Sequence, residues 1–122
     1  METIKVTFLG TGTSQGVPVI GCNCAVCLSD DSKDNRFRSS ILIETQDKVI
    51  CIDSGPDFRQ QMLRSNVQQL DAIVYTHEHK DHTAGMDDVR AFNFKQKRPM
   101  ELFVDNNVEA CLKREFSYAF SE

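Results

Sequence analysis

All three histidines of this 122-residue chain fall in one six-residue stretch, His77-Glu-His79-Lys-Asp81-His82, directly after the apolar run Ala72 to Tyr75. A cluster of polar, titratable side chains at the end of what reads as a buried strand demands a fold that carries a loop off the end of a sheet. Two histidines one residue apart in such a loop point the same way and can bite a single ion. Asp81 and His82, two and three residues on, can turn towards a second ion. Two metals so placed polarise a substrate and generate hydroxide at neutral pH. Neutral imidazoles leave the site cationic, so bound water loses its proton readily. The competing reading, an exposed polar loop with coincidental histidines, fits poorly with the strand that precedes it. A His-Glu-x-x-His zinc helix would need a histidine where Asp81 stands. A two-Cys, two-His finger needs about 12 residues between its ligand pairs, whereas Cys27 and His77 lie far apart in the chain.

The five cysteines exclude a complete internal disulfide framework. Cys22, Cys24 and Cys27 crowd into a Cys-x-Cys-x-x-Cys run, a spacing tight enough to chelate one structural zinc, while Cys51 and Cys111 stand alone. Structural zinc is usually four-coordinate, so a fourth ligand must come from elsewhere. Cys51 and Cys111 are candidates, although a strand and a helix context reads more naturally as buried and apolar. With 18 acidic against 14 basic residues the net charge is -4, which argues against a broad basic face for nucleic acid. No apolar run approaches the roughly 20 residues that span a bilayer. The first residues lack the basic start and apolar stretch of a secretion signal. The expected compartment is the cytoplasm.

The pattern predicts strands at Thr3–Leu9, Ser40–Thr45, Val49–Asp53, Asp71–Thr76 and Met100–Val104. It predicts helices from Asp57 to about Ser65, with Phe58, Met62 and Leu63 at helical spacing, and from Asp87 to about Phe94, with Val89, Phe92 and Phe94 inward. A last helix, capped by Asn106 or Asn107, would carry Val108, Leu112, Phe116 and Phe120 on one stripe. Alternation of this kind argues an α/β layered domain. The stretch from His77 to the second helix reads as a loop. The last helix carries more apolar surface than the remaining strands obviously cover. Gly10-Thr-Gly12-Thr-Ser-Gln-Gly16 lacks the spacing of a dinucleotide fingerprint. It is either a simple reversal or a cradle in which backbone N–H groups, with Thr13 or Ser14, meet a phosphate. Lys95, Lys97 and Arg98 read as a solvated loop, and Glu78 and Lys80 as solvent-facing or supporting residues.

His77-x-His79-x-Asp81-His82, with Cys51-Ile-Asp53-Ser-Gly55 upstream, resembles the signature of the metallo-β-lactamase-fold hydrolases. The opening Phe8-Leu-Gly10-Thr-Gly12-Thr-Ser14 is similar to their phosphodiesterase branch. Gly16-Val-Pro18-x-x-Gly21-Cys22-x-Cys24-x-x-Cys27 resembles the subgroup holding the cyclic phosphodiesterase of phosphonate breakdown and the B protein of pyrroloquinoline quinone synthesis. The resemblance spans essentially the whole chain.

It implies a four-layer αβ/βα sandwich of which residues 1–122 supply the N-terminal half of a single metallo-hydrolase domain. It implies His77 and His79 on a first catalytic ion, Asp81 and His82 on a second, and Asp53 supporting the metal loop. Asp81 would also orient a metal-bridging hydroxide or shuttle its proton. Two catalytic Zn²⁺ (Mn²⁺ or Fe being alternatives) and one structural Zn²⁺ on Cys22, Cys24 and Cys27 are expected. The remaining ligands, including a histidine for the structural zinc, would come from a C-terminal half, since no histidine follows His82. The implied activity is hydrolysis of a small cyclic phosphodiester. Another hydrolysis on the same fold (an RNA 3′ end, a lactone or a thioester) is the alternative, as is a non-catalytic metal-binding fragment or homodimer. The substrate-binding residues stay open, and this half alone is expected to be inactive.

Overall fold

The computed structural model describes residues 3–120. Five strands form one sheet in the order β1-β2-β3-β4-β5: β1 Lys5–Gly10, β2 Ser40–Glu44, β3 Val49–Ile52, β4 Ala72–Val74 and β5 Glu101–Phe103. The first three pair antiparallel, and β2 and β3 form the expected hairpin. β3, β4 and β5 run parallel, which requires crossovers. The first crossover contains helix α1, Phe58–Arg64. The second contains α2, Lys80–Thr83, then a 3₁₀ turn Met86–Val89 and α3, Arg90–Gln96. Helix α4, Asn106–Glu115, follows β5, and a 3₁₀ turn covers Ser117–Phe120. No helix of the described residues is long and apolar enough to cross a membrane.

Register divides the apolar residues between two faces. Leu42, Cys51, Ile73 and Leu102 are aligned across four strands on one face. Leu42, Cys51 and Ile73 share a buried cluster with Phe58 and Met62 of α1, Phe92 of α3, and Val108, Leu112 and Phe116 from the last helix and its end. The other face carries the row Phe8, Ile41, Ile52, Val74 and Phe103 across all five strands. Phe8 is 72% exposed and Phe103 56%, so among the described residues this row is largely uncovered.

That distribution corrects one expectation. Val108, Leu112 and Phe116 are buried by this chain's own sheet and helices, leaving mainly Tyr118 and Phe120 outside. The large open apolar surface lies on the sheet, because β2 (Ser-Ile-Leu-Ile-Glu) and β3 (Val-Ile-Cys-Ile) carry apolar side chains on both faces and helices cover only one. Smaller corrections follow from phase. Leu63 neighbours Met62 but turns about 100° away from it on a helix, and it is exposed. Phe94, two residues after the buried Phe92, likewise points out. The cap of α4 is Asp105, whose carboxylate accepts from the Val108 N–H at 2.8 Å. A charged acceptor one residue ahead of the asparagines takes the position nearest the positive helix end. Since α4 stops at Glu115, Phe120 leaves its stripe.

Candidate metal centre

Beyond β4 the chain continues through Tyr75 and Thr76 into the histidines, at the carboxyl ends of the parallel strands, where open α/β sheets present their sites. The predicted loop contains one helical turn. His79 is the N-cap of α2, its carbonyl accepting from His82 N at 2.9 Å and from Thr83 Oγ1 at 3.2 Å. This turn brings Asp81 beside His82. It arises because Thr83, almost fully buried, satisfies a carbonyl that a loop would leave to water.

Asp53 sits at the end of β3 in a left-handed conformation, φ 67°, which aspartate tolerates better than most residues. Its carboxylate is buried and fully engaged. Oδ1 accepts from Thr76 N at 2.8 Å, and Oδ2 accepts from Thr76 Oγ1 at 2.7 Å and from His82 Nδ1 at 2.7 Å. A carboxylate facing Nδ1 fixes the proton there and leaves the Nε2 lone pair free. Asp81 Oδ2 lies 3.1 Å from that same Nε2, so Asp81 and His82 face one point. The His77 and His79 ring centroids are 3.9 Å apart, and those of His77 and His82 5.4 Å. The structure thus forms a His77/His79 pair and an Asp81/His82 pair. Among the described residues no three of these donors lie within 4.8 Å of one another.

The clamp beneath the pairs was not read from the sequence. Ser54 N donates to His82 O at 3.0 Å, and Gly85 N donates to Ser54 O at 2.9 Å, so one residue grips the histidine loop at two points on the C-terminal side of α2. Backbones approach closely here: a Cβ on Gly55 would lie 2.3 Å from Asp81 O, and one on Gly85 2.1 Å from Gly55 O. Gly85→Ala should therefore cost about 1–3 kcal/mol, as overpacking does, read by chemical denaturation; an unchanged midpoint would contradict this packing. On the outer face Cys111 Sγ donates to Glu78 O at 3.7 Å, and Lys80 reaches Glu115 at 3.3 Å, so α4 holds the loop as well. Lys80 thus faces solvent and also supports the loop, within the range expected.

The cysteine loop gathers its donors independently. The sulfurs of Cys22, Cys24 and Cys27 lie within 4.8 Å of one another, the only such trio of histidine, cysteine or carboxylate donors among the described residues. A tetrahedral zinc, with Zn–S near 2.3 Å, holds sulfurs about 3.8 Å apart, so the trio fits that ion after a small contraction. Neither lone cysteine joins it. Cys51 is fully buried between Ser40 and the Asp53 carbonyl, and burial pushes its thiol up to about 12. Cys111 is engaged at Glu78. Cys24 is exposed, and the Cys27 N–H donating to its sulfur, then the Cys22 thiol, lower it to about 7. In chelator-stripped protein, iodoacetamide should label Cys24 fastest. Its thiolate is present above about pH 7 and lost as pH falls through that value, so a labelling midpoint near 9 would refute the assignment.

The glycine loop is packed onto residues 36–38: Gly12 N donates to Phe37 O at 2.7 Å, Arg36 to Thr11 Oγ1 at 2.7 Å, and Arg38 Nε to Ser14 O at 2.8 Å. Arg38 also pairs with Asp57 at 3.1 Å, bracing the loop against the start of α1. Lys95 bonds Gln68 and Arg98 bonds Asp71, so both serve the fold.

The half-covered five-stranded α/β sheet thus carries a histidine–aspartate loop at the carboxyl ends of its parallel strands. The beta-lactamase superfamily domain matches residues 48–122, and the chain belongs to that family, whose metallo-β-lactamase-fold members are metal-dependent hydrolases. It is 43% identical over 118 residues to a Porphyromonas gingivalis protein named octanoyltransferase, covering 96% of this chain and 24% of that one. A diphosphatase of the PhnP family superposes with a TM-score of 0.93 at 45% identity, over 98% of this chain and 49% of that one. Zinc-bound PqqB from Methylobacterium extorquens superposes at 0.74 and 25% identity, over 93% and 40%. The chain thus spans about a quarter of the curated relative and half or less of the two structures.

Proposed function

We propose that the whole protein is a metal-dependent phosphodiesterase acting on a small, cyclic phosphodiester, with residues 1–122 forming the N-terminal half of its domain. The observation that carries this is the Asp53–His82–Asp81 chain beside the His77/His79 pair. It gives one histidine a fixed tautomer and places a carboxylate at that histidine's free nitrogen. In this reading His77 and His79 hold one divalent ion and Asp81 and His82 a second, with zinc favoured by the imidazole-rich set and Mn²⁺ or Fe as alternatives. Such a pair supplies charge for the phosphoryl oxygens and a hydroxide nucleophile at neutral pH. Asp81 orients the attacking oxygen and takes its proton. Asp53 keeps His82 aimed, and Cys22, Cys24 and Cys27 hold a structural zinc. Glu78 and Lys80 anchor the loop.

A small substrate is favoured over nucleic acid because the chain is acidic. The similarity to a diphosphatase makes a phosphoanhydride the nearest competing bond. The test is a panel of cyclic and linear phosphodiesters, diphosphates, lactones and thioesters offered to the full-length, metal-loaded protein in the cytoplasmic pH range. Turnover concentrated on cyclic phosphodiesters and lost with chelator is expected. Turnover only of lactones or thioesters would refute the phosphodiesterase reading.

The open row Phe8, Ile41, Ile52, Val74 and Phe103 favours a second reading for the 122-residue chain by itself. An exposed apolar face of this kind is covered by association. The isolated chain is expected to be inactive and to run as a homodimer or larger species in light scattering; an active monomer would contradict both points.

A further inference from the structure

Two buried hydroxyls beneath the metal loop have no part in the reading above. Tyr75, one residue past β4, is 4% exposed and Ser54 0%, and the Tyr75 and Ser54 hydroxyls hydrogen-bond to each other. We propose that Tyr75 and Ser54 are a positioning pair, setting the separation between the two halves of the metal centre and thereby its affinity for divalent ions. The proposal rests on the assignment of His77, His79, Asp81 and His82 as ligands.

The argument is one of attachment points. His77 and His79 leave the sheet through Tyr75 and Thr76, where the Tyr75 N–H is anchored on Phe103 O at 3.0 Å. Asp81 and His82 hang instead from the Asp53–Gly55 turn: Ser54 N holds His82 O, Ser54 O holds Gly85 N, and Asp53 holds the His82 ring. The two pairs, joined within one turn by the bond from His82 N to His79 O, are therefore anchored to the sheet at different points. Besides the backbone bond from Asp53 N to Val74 O at 2.9 Å, two links made by side chains join these anchor points. One is Asp53 to Thr76, at the rim. The other is Tyr75 to Ser54, below it in the core. The backbone bonds fix where the two anchor points lie, and a directional side-chain bond in the core, away from the rim, limits how far the turn carrying Ser54 can tilt against the strand carrying Tyr75. Packing alone has no need of these groups, since replacing both partners of a buried hydrogen bond by apolar groups of the same shape can be nearly neutral for stability. A phenylalanine and an alanine would fill this space without fixing the orientation of the turn.

The test uses the full-length protein as wild type, Tyr75→Phe, Ser54→Ala and the double variant. Each is measured for Co²⁺ affinity by chelator competition, for the visible absorption of bound Co²⁺, and for the thermal midpoint of the metal-free form. Each single variant is expected to bind Co²⁺ about 10-fold more weakly with a changed spectrum, the scale on which groups supporting metal ligands act. The double variant should regain thermal stability, having no orphaned hydroxyl, without regaining affinity. A purely structural pair would behave oppositely: midpoints fall while affinity and spectrum stay at wild-type values, and that result overturns the proposal. If Tyr75→Phe does not fold, the double variant supplies the same comparison. A wild-type protein whose Co²⁺ binding is untouched by His79→Ala overturns the ligand assignment itself, an outcome distinct from a positioning failure.

Discussion

Turnover by the full-length protein is expected to fall by more than about 100-fold on His79→Ala, beyond what loss of an outer supporting group costs, with bound metal dropping by about one equivalent. The variant is unusually clean. His79 caps α2 through its backbone, its carbonyl accepting from His82 N and Thr83 Oγ1, and its side chain makes no capping bond. Alanine keeps those carbonyl contacts, so α2, the Asp53–His82 bond and the Ser54 clamp all stay in place. The one interaction removed is the imidazole beside His77, 3.9 Å between ring centroids. Circular dichroism and the thermal midpoint of the metal-free variant should therefore match the wild type. Undiminished turnover in a metal-replete variant would remove His79 from the site.

The position of the histidine loop was more legible in the sequence than its attachments. The run His77-x-His79-x-Asp81-His82 after an apolar strand is a local pattern, and the structure sets it beyond β4 as expected. For Asp53 the local pattern Asp-Ser-Gly-Pro reads only as a turn, and its contact with the histidine loop was expected from the family resemblance alone. The Ser54 clamp joins residues 28 and 31 positions apart (54 to 82 and 54 to 85) through backbone atoms, which leave no side-chain signature. Gly85 fell in the stretch read as a loop, where a glycine draws no notice. Thr76, which gives Asp53 both its backbone N–H and its hydroxyl, looked like the last residue of a strand.

The sheet shows the same limit from the other side. Strand positions were found to within two residues, but not which face the helices cover. Apolar side chains alternate with apolar side chains in β2 and β3, so period-two patterning carries no in–out information there. The uncovered surface was consequently expected on the terminal helix, where amphipathicity is readable, rather than on the row from Phe8 to Phe103, where only register reveals it.

Asp53→Asn separates tautomer control from folding, and its expected effect is a loss of about 10- to 100-fold in metal affinity with the fold retained. Asparagine tolerates the left-handed φ of 67° at least as well as aspartate. Its carbonyl oxygen can still accept from Thr76 N in the place of Oδ1. The amide nitrogen then falls at Oδ2, opposite His82 Nδ1 and Thr76 Oγ1. Thr76 can turn its hydroxyl to accept, but the imidazole has a single way to respond. Nδ1 must become the acceptor, and the ring proton moves to Nε2, the atom 3.1 Å from Asp81. Nε2 then lacks the lone pair a metal needs, and recovering it requires breaking the buried bond. Asp53→Ala is the control: it leaves the Thr76 and His82 donors without their buried partner, so it should lower both stability and affinity. Calorimetric Zn²⁺ titration and thermal midpoints of both variants decide the matter. Wild-type affinity in Asp53→Asn would mean that His82 takes no part in metal binding through Nε2.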